Sequence, residues 1–423
     1  MTVSTSHSAE NEKTPYAGPT GLGLTALDPD FREDPYPILA ELREREPVHW
    51  DDVLKRFIIT RHADVNMLLR DLDLWMDARK GNPGTFSREF LVDTAGQSIN
   101  DNTPSMLMLD DPEHRRLRDL VRRSFTPKAI ESWRDRIRGV AERLIAGIDR
   151  GPFDLVKAYA DPLPTVVIAE MLGIDPERHA EFKEWSSLAS AVGFNPAPTP
   201  EQVASGEAAA VSLDAFFLDE IKARKSRPGN DLITSMVTAE VDGDHLSDVE
   251  IVSQCNLLLV AGNITTTDLI GNTIKAMIDF PDEQERIAAD PGLIPGAIDE
   301  VLRFDGPVTN SGRIANRDLE LHGVKIGKGE SLSLSVAAGN RDPRYHETPD
   351  TFDLDREDKS TLAFGGGHHF CLGAYLAKVE ASEAVRALHQ KMGAIQLAEG
   401  GYQRSSSPSF RGFTQLLVEP ASR

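Results

Sequence analysis

The sequence predicts a mainly α-helical protein with small β-sheets, and three observations predict it. Helix-start signals and apolar residues at helical spacing recur from Asp34 to Pro281. Within that region Ser247 and Glu250 form a capping-box pattern, and Pro281 is the next block to continuation. The interval leaves room for roughly 33 residues of helix, about 50 Å at 1.5 Å per residue. Alternation of apolar and polar residues returns only late, over 310–336 with Gly-bearing turns and again over 394–419.

Taken in order, Asp34-Pro35 opens a helix to about Glu46 with Leu39 and Leu42 inward. Val48–Trp50 and Phe57–Thr60 read as a hairpin, and a helix follows from His62. From Asp73 to Met108 periodicity is lost. Gly, Asn and Pro are mixed there with Phe86, Phe90, Leu91, Ile99 and Met106. A loop that long in a compact protein is usually functional, and its apolar residues argue for partial burial. Asp111-Pro112 starts the next helix, and others run to about Arg150, over Pro162–Leu172 and over about Pro176–Val192. Gly193 to Pro200 is a breaker, followed by a helix to about Lys225. The long helix is apolar on all sides at Leu257–Ala261, so it should cross the interior.

There are no internal repeats, and no composition shift marks a boundary. The expectation is a polar, flexible tail over Met1–Gly23 and one catalytic domain over 24–423, acting as a monomer. The formal net charge of −21 argues against non-specific nucleic-acid binding, which needs a basic surface. Two distant cysteines give no disulfide framework and suit a reducing cytoplasm. No apolar span approaches the ~20 residues of a membrane anchor, and no signal peptide is recognisable.

The chemistry centres on Phe364-Gly-Gly-Gly-His-His-Phe-Cys-Leu-Gly373. Three glycines let the backbone approach a flat object closely. Cys371 stands just before a helix carrying Leu372, Leu376, Val379 and Val385, where the helix N-terminus favours a thiolate. A lone thiolate does not build a four-ligand zinc site, but it suits one axial bond to a haem iron. The string resembles the haem-binding loop of the cytochromes P-450 at Phe364, Gly365, Gly367, His369, Cys371 and Gly373.

The resemblance extends from about Asp34 to Val418 and implies the P-450 fold, with the long central helix over a haem b (iron protoporphyrin IX) whose metal ligand is Cys371. Glu300 and Arg303, three apart on a helix, resemble the family's Glu-x-x-Arg pair, and Arg356 its third member; the role implied is structural. His114, Arg118, Arg313 and His369 resemble the family's partners for the haem propionates. Ala261-Gly262-Asn263-Ile264-Thr265-Thr266 resembles the oxygen-activating segment, with Ala261 and Gly262 leaving room above the cofactor and Thr265 and Thr266 in the proton-handling positions. Here the sequence departs from the pattern: Ile264 stands where the family has an acid. Asp268, one turn beyond Thr265, is the expected substitute.

The implied activity is monooxygenation of a hydrophobic small molecule, with O2 and two electrons from NAD(P)H through a reductase and a ferredoxin-type partner. Arg115, Arg116, Arg122, Arg123, Arg344 and His368 read either as a solvated charged face or as a basic docking face for that partner. Phe86, Phe90, Ile99, Leu258, Val308, Thr309 and Phe410 are expected to touch substrate. Ile264 also keeps open a haem-thiolate enzyme with atypical oxygen use: peroxide-dependent, an isomerase or dehydratase, or a nitric oxide reductase.

Overall fold

The computed structural model describes residues 15–89, 104–193, 198–240 and 243–421. It is mainly helical, with three small sheets. The long helix spans Asp248–Asp279, 32 residues. Its start is the expected reciprocal cap: the Ser247 hydroxyl accepts from the Glu250 N–H at 3.3 Å, and the Glu250 carboxylate accepts from the Ser247 N–H at 2.8 Å. Helices Pro162–Leu172, Pro200–Ser226, Ile294–Phe304 and Ala374–Met392 pack against it. Thr266–Met277 is buried on every side although it carries Asp268, Asn272 and Lys275, whereas the all-apolar Leu257–Ala261 is buried only at Leu258 and Leu259. The main hydrophobic core surrounds it.

The β elements knit distant parts of the chain together. β1 (Val48–Asp51) and β2 (Arg56–Ile59) form the expected hairpin. The late alternating stretch gives β4 (Asn310–Ile314), β5 (Leu319–Leu321), β6 (Val324–Ile326) and β7 (Ser331–Ser335). β7 lies parallel to β2, with Ile59 opposite Leu334, and antiparallel to β4, so the first sheet runs β1-β2-β7-β4. β5 and β6 turn at His322-Gly323, both at positive φ, the backbone that a two-residue hairpin turn needs. β8 (Ile395–Arg404) and β9 (Phe413–Pro420) join β3 (Phe153–Asp154) in the order β3-β9-β8.

Two stretches differ in detail from expectation. Tyr16 to Leu24, expected mostly as tail, lies against the hairpin: the Tyr16 N–H donates to Glu46, the Gly21 N–H donates to Asp51 at 3.0 Å, and Leu24 is buried. The aperiodic stretch after Asp73 contains short helical turns at Ala78–Lys80 and Phe86–Arg88, and Trp75 exchanges two backbone hydrogen bonds with Ile314. Phe90, Leu91 and Ile99 lie outside the described residues.

Candidate active site

The cysteine loop is closed by the Cys371 N–H donating to the Phe364 carbonyl at 2.9 Å. Its glycines are used differently from expectation. Gly367 sits at φ +63°, and a Cβ there would stand 3.1 Å from the Leu69 carbonyl oxygen; one on Gly366 would stand 3.0 Å from Arg70. The close approach is therefore to the end of helix His62–Arg70. Gly373, by contrast, has open space where its Cβ would be.

Cys371 is solvent-accessible yet deeply surrounded by protein, so its thiol faces an internal cleft. Burial pushes the thiol pKa up, while the Gly373 N–H and the Arg118 charge pull it down. The net direction is upward, the reverse of the sequence expectation, because desolvation of a thiolate outweighs the helix terminus. A thiolate here needs a positive partner inside the cleft, which a metal supplies.

Cationic donors converge beside it. Arg118 donates from Nη2 to the Phe370 carbonyl at 2.5 Å. Arg313 is 4% exposed, and its hydrogen bonds go to neutral acceptors: the Gly312 carbonyl, the Ser311 hydroxyl, Met76 Sδ and the Leu69 carbonyl. Burial lowers its pKa to about 10. The His114 and His369 rings lie 4.0 Å apart, and burial, followed by the charges of His114, Arg313 and Arg118, drives His369 down to about 3. His114 Nδ1 meets Asp111 at 3.1 Å, while its buried Nε2 has no partner among the described residues. A buried arginine without a carboxylate and an orphaned imidazole nitrogen fit an anionic group in the cleft. The residues thus fit a cofactor with a metal at Cys371 and carboxylates at this cluster.

The long helix carries the other expected residues. Ala261, Gly262, Ile264 and Thr265 are partly accessible, whereas Asn263 and Thr266–Met277 are buried. A Cβ on Gly262 would meet nothing within 4 Å. Thr265 Oγ1 donates to the Ala261 carbonyl at 2.7 Å, so its lone pairs remain free to accept. Thr266 is buried, and its neighbourhood tempers the upward push that burial gives the Glu380 carboxyl on helix Ala374–Met392.

Asp268 does not sit with Thr265. Its carboxylate lies against the Gly412 backbone, so closely that a Cβ on Gly412 would stand 1.8 Å from Oδ1. The expected relay is thus directed toward the terminal sheet, because the helix turns position 268 toward β9. Burial raises the Asp268 pKa to about 8 against the pull of Arg404. An acid whose folded pKa is raised binds its proton more tightly when folded, so stability falls as pH rises from about 4 through about 8. Asp268→Asn should remove that decline, up to roughly 5 kcal/mol at alkaline pH. Urea unfolding midpoints at pH 5 and pH 9 will check it: the variant's gain over the parent should be about threefold larger at pH 9 than at pH 5.

Glu300, Arg303 and Arg356 come together below the loop. Arg303 donates to both Glu300 oxygens at 2.7 and 3.0 Å, and Arg356 Nε donates to Oε1 at 3.1 Å. Arg303 also donates to the carbonyls of Asn340, Pro349 and Thr351, tying the pair to the segment that leads into the cysteine loop.

Of the expected substrate residues, Leu258 lies on the long helix at 9% exposure, and Val308 bridges to Phe410. Thr309 Oγ1 donates to the Ser409 carbonyl at 3.4 Å. Phe86 instead packs under Arg56 of β2, its ring centroid 5.0 Å from the guanidinium. The basic strip is largely neutralised by neighbours. Arg115 and His368 meet Asp111, Arg116 meets Asp244 and Glu250, Arg122 meets Asp119, and Arg344 meets Glu44.

Sequence reasoning missed Asp111 and Glu380. Both carried a signal: Asp111 stands three residues before His114, and Glu380 is an acid on the apolar face defined by Leu376 and Val379. It also missed the buried cluster in which Asp305 takes bonds from Arg411, Arg404 and Tyr36.

A family model described as Cytochrome P450 matches residues 293–390. The chain is 36% identical over 377 residues to the vitamin D(3) 25-hydroxylase of Pseudonocardia autotrophica, covering 88% of this chain and 89% of that one. It is 33% identical over 385 residues to the cyclomarin C epoxidase CymV of Salinispora arenicola, covering 90% and 94%. Among solved structures it is similar to the cytochrome P450 PksS of the bacillaene polyketide synthase of Bacillus subtilis 168, with TM-score 0.84, 30% identity, and 94% and 99% of the two chains covered. A cysteine loop beside a cluster of buried cations fits a haem-thiolate protein, and with relatives at 33–36% identity over most of its length the chain belongs to the cytochrome P450 family. It is a monooxygenase of the bacterial type. Among the described residues, no helix is long and apolar enough to cross a membrane.

Proposed function

We propose that this chain holds haem b and hydroxylates a hydrophobic small molecule, using O2 and two electrons passed from NAD(P)H by a ferredoxin-type donor and its reductase. The observation that carries this reading is the accessible Cys371 thiol facing the same cleft as an anion-hungry cluster of Arg118, Arg313, His114 and His369. Cys371 would hold the iron as thiolate, and the cationic cluster would take the two propionates. When bound, the haem supplies the oxidising chemistry.

The chain's own residues do the rest. Leu258, Ala261, Val308 and Phe410 give the cleft an apolar wall that orients a greasy substrate and excludes water. Thr265 Oγ1 donates to its own helix and can accept a proton-bearing partner from the cleft side. Cys255 and Cys371 as free thiols suit a reducing cytoplasm. With the basic strip mostly paired, donor docking rests on shape as much as on net charge, so reduction should depend only weakly on ionic strength. Stopped-flow reduction with a ferredoxin across a salt series measures this.

The test of the whole reading is spectral. The reduced protein with carbon monoxide should show the strongly red-shifted Soret band of a thiolate-ligated haem. A library of hydrophobic compounds should include members that shift the ferric protein from low to high spin. A haem-free or histidine-type spectrum would overturn it.

A second reading keeps the same cofactor but not O2. Ile264, partly accessible beside Thr265, is not an acid, which favours a co-substrate that brings its own protons. Product formed with hydrogen peroxide alone, and not with NADH and donor, would select it.

A further inference from the structure

The turn that carries Phe410 is held in place by buried charge. It joins β8 to β9, and the Ser405 N–H closes it on the Gly412 carbonyl at 3.0 Å. Arg411, next to Phe410, is 8% exposed. Its Nε donates to Asp305 Oδ1, Nη1 to the Arg32 carbonyl at 2.8 Å and Nη2 to the Glu33 carbonyl at 3.1 Å, the last two at the end of helix Pro29–Glu33. The main chain of Arg411 is pinned as well. Its N–H donates to the Pro307 carbonyl, and its carbonyl accepts from Asn272 Nδ2, both at 2.8 Å. Three segments distant in sequence thus meet at the one residue beside Phe410.

Asp305 is the centre of the cluster. It also accepts from Arg404 Nη2 at 3.2 Å and from the Tyr36 hydroxyl at 2.6 Å. Burial pushes its carboxyl up, but the charges of Arg411 and Arg404 outweigh burial and hold it well below the ordinary carboxylate range. The pair therefore stays ionic at neutral pH. Asn272 Nδ2 donates to the Asp305 carbonyl too, at 2.8 Å, so one amide clamps both members of the pair to the long helix. Asn272 stands seven residues beyond Thr265. At 3.6 residues per turn, Ala261, Thr265 and Asn272 fall on one stripe, and Asn272 lies about 10 Å along the axis from Thr265.

We propose that Arg411, locked by Asp305 and Asn272, is the positioning residue for Phe410: it fixes where that ring stands beside Val308 and so decides the shape of ligand the substrate side accepts. The proposal rests on the reading above, in which Val308 and Phe410 contact substrate. Stability alone does not call for this construction. Two arginines on one buried carboxylate carry a desolvation cost that apolar side chains of the same volume avoid. What charge-assisted bonds from a flat guanidinium add is direction. A turn held in this way cannot slide along the long helix without breaking bonds to all three segments.

Imidazole and clotrimazole test this in the haem-loaded protein. Both ligate a ferric haem iron through an imidazole nitrogen and move the Soret band, but only clotrimazole carries aryl groups that reach the surrounding side chains. Titrations compare the parent, Phe410→Ala, Arg411→Lys and the double variant; lysine keeps the charge opposite Asp305 and loses the fork. Imidazole should bind all four within about twofold, and clotrimazole should weaken about tenfold or more in each single variant, the low end for one altered apolar contact in a pocket. The double variant should be no weaker than Phe410→Ala, because a residue that acts through Phe410 then has nothing left to position. Asn272→Ser, which frees the Arg411 carbonyl and leaves the ion pair, should give the same split between the two azoles, and it carries the test if Arg411→Lys does not hold haem. Parental clotrimazole affinity in these variants overturns the proposal. So do losses that multiply in the double variant, or an equal loss of imidazole, which marks general loosening. A parent that binds neither azole at an iron defeats the haem-thiolate reading and the proposal with it; a parent that binds both, with unaltered variants, defeats the proposal alone.

Discussion

Cys371→Ala will abolish the red-shifted Soret band of the reduced carbon monoxide complex and, with it, all O2-driven product. Cys371→His should retain some haem but give a histidine-type spectrum, because imidazole replaces thiolate at the iron and supplies none of its electron density. Both variants should fold, since the Cys371 thiol faces a cleft and its backbone N–H, which closes the loop on Phe364, is unaffected by the substitution. Far-ultraviolet circular dichroism alongside the spectral titration checks this. A variant that keeps the parental band would remove the basis for every cofactor assignment made above.

Glu300→Gln should be the most damaging conservative change away from the cleft. Glu300 and Arg303 side chains are both wholly buried, and Arg356 joins them from the segment before the cysteine loop. Glutamine keeps the volume but leaves two buried guanidiniums without their counter-charge. Breaking a buried pair in this way costs about 3–5 kcal/mol. The carboxylate also accepts the Asp353 N–H at 3.1 Å, so the loss reaches the backbone that leads toward Phe364. The expected result is a lower urea midpoint together with faster haem loss to apomyoglobin. An unchanged midpoint would show that the Arg303 bonds to the carbonyls of Asn340, Pro349 and Thr351 suffice alone.

The sequence was a good guide wherever one local signal decided the outcome. The capping box at Ser247 and the block after Asp279 bounded the long helix, because each is a short-range hydrogen-bonding or steric rule. Helix Pro162–Leu172 was legible end to end, since Pro opens it and Gly173, at φ +77°, closes it. Reading failed where the deciding partner was far away in the chain. Nothing near Asp268 announces that Gly412 will lie against it, and nothing near Phe86 announces Arg56. The thiol shift went the same way: the helix start after Cys371 is local and visible, but the burial that outweighs it is made by the whole fold. Glu380 was overlooked for a related reason. An acid on an apolar helix face reads as an irregularity until the fold buries it.

The strand order has a consequence for how the molecule is made. Ile59 lies opposite Leu334 and Phe153 opposite Val418, so neither of the larger sheets can be completed from the early part of the chain alone. On a ribosome adding about 5–20 residues per second, the nascent hairpin waits roughly 15–60 s for its parallel neighbour to emerge. During that interval its edge is open to any other extended peptide. Synthesis of this enzyme should therefore lean on chaperones that shield strand edges, and overproduction without them should yield aggregates before it yields misfolded monomers.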